Sequence, residues 1–116
     1  MFERFTPNAR AAVVNALDDA TDEIGIDQLV YGLLRDGDGI AARVLRDAGY
    51  EEPPPPRVHA GARQLPFTSE AKEALEHATH EADVLGHALV GTEHVLMAVK
   101  PELRDAVLRA LRGDEL

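Results

Sequence analysis

Apolar residues in this chain recur with the period of a helix rather than the alternation of a strand. Ala9, Ala12, Val13, Ala16, Leu17 and Ala20 form one stripe, Leu29, Val30, Leu33 and Leu34 a second, and Ile40, Val44, Leu45 and Ala48 a third. The stripes begin and end at residues suited to helix termini. Thr6 is a good N-cap with Pro7 at the first helical position, which predicts a helix from about Pro7 to Thr21. Gly37 closes the second stripe, and the third starts behind Asp38 and stops at Gly49. Thr68 caps a fourth helix, with Ala71, Ala74, Leu75, Ala78, Ala82 and Leu85 on its inner face and Gly86 near its end. Val95, Leu96 and Val99 mark a fifth, and Pro101 opens a sixth that carries Leu103, Val107, Leu108 and Leu111.

The two sets of three helices are copies of each other. Phe5-Thr6 followed by Ala9, Ala12, Ala16 and Ala20 returns as Phe67-Thr68 followed by Ala71, Ala74, Ala78 and Ala82, every member displaced by 62 positions. Such a repeat predicts an all-α fold in which two pseudo-symmetric helical repeats bury their apolar faces against each other. Repeat one covers about residues 5–49 and repeat two about 67–112, within a single domain 1–116. Between them Pro53 to Pro56 exclude helix, because each ring removes a backbone donor and disfavours helix in its predecessor, so residues 50–66 read as a semi-rigid linker. A scaffold of this kind favours a binding module over an enzyme.

Charge and composition exclude several classes of partner. Asp and Glu outnumber Lys and Arg by 21 to 12, and the net charge of -9 repels phosphate backbones, so nucleic acid is not an expected partner. There is no cysteine, which removes disulfides and thiolate chemistry and points to a reducing compartment, the cytoplasm. No basic leader precedes an apolar run, and no stretch approaches the roughly 18 apolar residues of a membrane span.

Catalytic constellations are weak as well. Ser69 is the only serine and sits at a helix start, which accounts for it without a hydrolase. His77 and His80 with Glu73, Glu76 and Glu81 lack the two histidines four apart of a zincin helix and read as a solvated helix face. Asp36-Gly37-Asp38-Gly39 has Ile40 where a calcium loop needs a third ligand. No catalytic residue, metal or cofactor is expected.

Several separate blocks, in order and twice over, resemble a known family. Met1-Phe2-Glu3-Arg4-Phe5-Thr6, the segment from Leu33 to Leu45, Phe67-Thr68 with Ala71-Lys72, and Gly91-Thr92-Glu93-His94-Val95-Leu96 are similar to the double Clp-N repeat that begins ClpC-type AAA+ unfoldases. The resemblance implies a non-catalytic docking domain that receives adaptor proteins or substrate proteins, including those tagged by arginine phosphorylation, in the service of a Clp unfoldase. It also implies that Glu93, within Gly91-Thr92-Glu93-His94, is the residue associated with phosphoarginine.

The chemistry of such a site is simple. Amide N–H groups at a helix start attract the phosphate, and a carboxylate pairs with the guanidinium of the same ligand. The local alternative is that Thr92 is an N-cap and Glu93 a first-turn acid favourable to the helix dipole. In repeat one the matching stretch is Gly25-Ile26-Asp27-Gln28, with Asp27 for glutamate and about four fewer residues before it, so Asp27 is the weaker contact. His87 and His94 recur in the family pattern and are expected to bond the turn between the fourth and fifth helices. A structural or oligomerisation module without ligand recognition is the alternative function. The 116 residues hold no Gly-x-x-x-x-Gly-Lys-Ser/Thr phosphate loop, so a stand-alone module and a receptor domain of a longer unfoldase are both open.

Overall fold

The computed structural model describes residues 2–20, 22–36, 39–51 and 65–113. Among them are six α-helices: α1 (Pro7–Asp19), α2 (Ile26–Asp36), α3 (Ile40–Asp47), α4 (Ser69–Val84), α5 (Thr92–Val99) and α6 (Arg104–Arg112), with a 3-10 turn over Pro101–Leu103. The all-α expectation holds. Thr6 and Thr68 both cap as their chemistry requires, each hydroxyl accepting from the amide three residues on, Ala9 and Ala71, at 3.1 Å.

Two boundaries differ from expectation. Helix α1 ends at Asp19 rather than Thr21, because Ala20 turns to extended backbone while its amide still donates to the Leu17 carbonyl. Pro101 opens the 3-10 turn, and α6 proper begins only at Arg104. The linker prolines and the rest of 52–64, with Thr21, Gly37 and Asp38, lie outside the described residues.

Alanine governs how the helices meet. Ala9, Ala12 and Ala16 of α1 and Ala71, Ala74, Ala78 and Ala82 of α4 are buried, and with so little side chain in the way α1 packs closely on α2 and α4 on α5. Where α1 meets α2 the backbones come so near that a Cβ placed on Gly32 would overlap the Ala12 carbonyl. Leu29, Leu33, Leu34, Leu45, Leu75, Leu96, Met97 and Val107 fill the interior.

The two triplets are joined by a reciprocal backbone clasp. Phe5 forms a parallel bridge with Val90, and Phe67 forms one with Ile24. In the first, Thr6 N–H donates to Val90 O at 2.9 Å and Val90 N–H to Arg4 O at 2.8 Å; in the second, Thr68 N–H donates to Ile24 O at 2.9 Å and Ile24 N–H to Pro66 O at 2.8 Å. Each segment entering a long helix thus pairs with the residue just before Gly25 or Gly91 in the opposite triplet. The clasp pins the starts of α2 and α5, where the candidate site lies.

Candidate functional site

Helix α5 begins without a capping side chain. Gly91 is its N-cap, in extended backbone, and Thr92 is the first helical residue rather than the cap that the local reading of this stretch supposed. The reason is His94. Its Nδ1 accepts the Gly91 N–H at 2.8 Å, so the third helical residue reaches back to the N-cap amide, the half of a capping box that needs no cap side chain. Helix α2 solves the same problem with another residue type, since the Gly25 N–H donates to Gln28 Oε1 at 2.8 Å.

That bond fixes the histidine tautomer. A backbone amide can only donate, so His94 Nδ1 must carry a lone pair and a neutral ring must hold its proton on Nε2. His94 Nε2 lies 2.8 Å from His87 Nδ1, which therefore accepts. The rings meet at 67°, with centroids 5.0 Å apart. The relay runs from the Gly91 amide through the buried His94, 1% exposed, to the exposed His87.

His87 is held in place from two sides. Gly86, with φ of 74°, ends α4 in the left-handed region, and His87 N–H reaches back to the Ala82 carbonyl at 2.8 Å, closing a Schellman turn. From the other triplet, Arg4 donates to the carbonyls of Ala88 at 3.0 Å and His87 at 3.2 Å and pairs with Asp83 at 2.8 Å. The expectation that the two histidines bond this turn matches the geometry.

Glu93 folds back over the helix start. A Cβ on Gly91 would overlap its carboxylate, so the glycine leaves the space that the acid occupies. The amides of Thr92 and Glu93 and the Thr92 hydroxyl, in a residue only 4% exposed, find no hydrogen-bond partner among the described residues. Gly91, Thr92 and Glu93 therefore bring unpaired donors and one carboxylate to a single helix start. Asp27 is exposed in the first turn of α2, where Gln28 provides the cap and no histidine follows.

His87, Glu93 and His94 each offer one ligand atom within 4.8 Å of the others, a spacing a metal ion could use. The hydrogen bonding argues against such an ion. The one lone pair of a neutral His94 is committed to the Gly91 amide, and coordination through Nε2 would break the cap. Burial pushes the His94 pKa down from its ordinary value, with the Glu93 carboxylate pulling the other way and His87 adding to the depression.

Glu81 differs from its sequence reading. His77, His80, Glu73 and Glu76 are exposed as a solvated face requires, but Glu81 is 5% exposed and accepts from Arg104 Nε at 2.8 Å, tying α4 to α6. The signal was present in the spacing, since 74, 78 and 81 lie on one helical face; only the residue type argued for solvent.

The chain matches the family model described as the Clp repeat (R) N-terminal domain over residues 4–113. It is 35% identical over 127 residues to a protein of Guillardia theta named ATP-dependent Clp protease ATP-binding subunit ClpA homolog, and 37% identical over 126 residues to the homolog of the same name in Porphyra purpurea. Each match covers 97% of this chain and 15% of the relative, so the chain spans about 15% of the length of these proteins. Among solved structures, the N-terminal domain of the caseinolytic protease associated chaperone ClpD from Arabidopsis thaliana shares the fold at a TM-score of 0.66 and 16% identity, over 97% of this chain and 87% of that one. A family match across nearly the whole chain, with relatives above 30% identity, shows that this chain belongs to the Clp N-terminal repeat family.

Proposed function

We propose that this chain is a non-catalytic docking module of the Clp unfoldase–protease system, receiving adaptor proteins or phosphoarginine-tagged substrates. The observation that supports it is the pairing of opposite charge preferences at one helix start. The unpaired amides of Thr92 and Glu93 favour a phosphate, and the Glu93 carboxylate beside them favours the guanidinium that carries it. Gly91 contributes by leaving room, and Asp27 at α2 is the secondary contact. No cofactor enters this reading.

The acidic surface is consistent with cationic peptide segments and repels nucleic acid. No helix among the described residues is long and apolar enough to cross a membrane. The cysteine-free composition agrees with work in a reducing compartment, and we assign the module to the cytoplasm.

Calorimetric titration with a phosphoarginine peptide, against arginine and phosphoserine peptides, tests the reading. Saturable heat with the first peptide alone, abolished in Glu93→Ala, is the expected result. Equal weak heats from all three, or no response at millimolar concentrations, would remove the phosphoarginine site and leave docking of adaptors elsewhere on the surface.

A further inference from the structure

We infer that the His87–His94 pair is a proton-operated latch on this docking site: a proton on His87 turns its ring from the partner of His94 into a partner of Glu93, withdrawing the carboxylate from a guanidinium ligand. The inference rests on the docking reading above and concerns how that site is regulated.

Donors and acceptors decide which ring moves. Nε2–H of His94 points at His87 Nδ1 at 2.8 Å, and the arrangement works only while Nδ1 has a lone pair. A proton there sets two N–H groups against each other. His94 cannot adapt, because reversing its tautomer would aim an N–H at the Gly91 amide. His87 must turn instead, and the Glu93 carboxylate, within 4.8 Å, is the acceptor at hand. The proton goes to His87 because water reaches it, whereas His94 is buried.

The surrounding charges favour the same exchange. Arg4 faces the pair from the chain start but is held by Asp83 and two turn carbonyls, so it stays in place. Glu81 faces it from α4 but is occupied by Arg104 of α6. Glu93 is the acid left to answer a charged His87. The first triplet lacks this device, since Gln28 fills the role of His94 at α2 and does not titrate.

Two measurements on the full chain decide the matter. In the first, histidine ring and backbone amide NMR shifts are followed without ligand from about pH 7.5 to pH 5.5, for the native chain and for His87→Asn, whose side-chain oxygen accepts from His94 but takes no proton. The latch requires the amides of Gly91, Thr92 and Glu93 to move with the His87 titration in the native chain and to stay still in the variant. Amides that ignore His87, or that move equally in both proteins, overturn it.

In the second, a phosphoarginine peptide is titrated into both proteins at about pH 7.5 and pH 6.0. The native chain should lose about fivefold more affinity than His87→Asn, both proteins meeting the same ligand ionisation. Equal losses overturn the latch while leaving the docking site intact. Absence of binding at the higher pH sinks the docking reading, and the ligand-free shifts then still decide whether His87 changes partners.

Discussion

Gly32 of α2 rests against the carbonyl oxygen of Ala12 in α1, so closely that a Cβ at position 32 would overlap that oxygen. Backbone, unlike a side-chain tip, cannot swing aside. We expect Gly32→Ala to force the two helices apart and lower stability by about 3 kcal/mol, read as a shift in the urea midpoint. A loss below about 0.5 kcal/mol would mean that α1 and α2 separate easily, against the packing described.

Gly91→Ala should behave in the opposite way. The atoms nearest its Cβ all belong to the Glu93 carboxylate, the free end of a flexible side chain, which can move off the helix start. Stability should change by less than about 1 kcal/mol while phosphoarginine-peptide affinity drops at least about tenfold, close to the effect of Glu93→Ala. Asp27→Ala should leave affinity within about twofold. Peptide binding unchanged in both Gly91→Ala and Glu93→Ala would rule out a ligand at the start of α5.

The buried histidine makes stability depend on pH. Burial holds the folded pKa of His94 below the ordinary histidine value of 6.5, so above that pH the ring is neutral in both states and adds no dependence. Below it the unfolded chain takes up a proton that the folded chain refuses, and stability falls with pH until the folded pKa is reached. The urea midpoint should decline from pH 7 to about pH 5 more steeply in the native chain than in His94→Gln, which borrows the cap of α2. Parallel curves would show that His94 is not the source.

Glu81 and Arg104 form a pair of unequal exposure, the glutamate side chain 7% exposed and the arginine 40%. Arg104→Ala leaves a buried acid without its partner and should lower the urea midpoint, with solvent at the arginine end limiting the loss. Glu81→Gln keeps an acceptor and should cost less than Arg104→Ala in the same denaturation series. The reverse order would show that the charge, not the hydrogen bond, holds α4 to α6.

Helix existence was legible because it is written locally. Thr6-Pro7, Thr68 and the alanine spacing each act within a turn or two of chain, and the structure follows them. Boundaries were less so: Ala20 leaves α1 early, and Pro101 starts a 3-10 turn where an α-helix was expected. Glu81 was misread because a carboxylate belongs in water unless a partner from another helix satisfies it, and Arg104 lies 23 residues further on.

The repeat, its two alanine stripes and the Gly91-Thr92-Glu93-His94 block are properties of the chain that need no folding to be seen. They determine that the protein is helical, two-fold in plan and a member of its family. What they leave undetermined is every relation across the pseudo-symmetry. The Phe5–Val90 and Ile24–Phe67 bridges and Arg4 on the turn before α5 depend on which residues from opposite triplets meet. A hydrogen bond needs its partner within about 3 Å in a set direction, and only packing brings residues more than 80 positions apart to that distance.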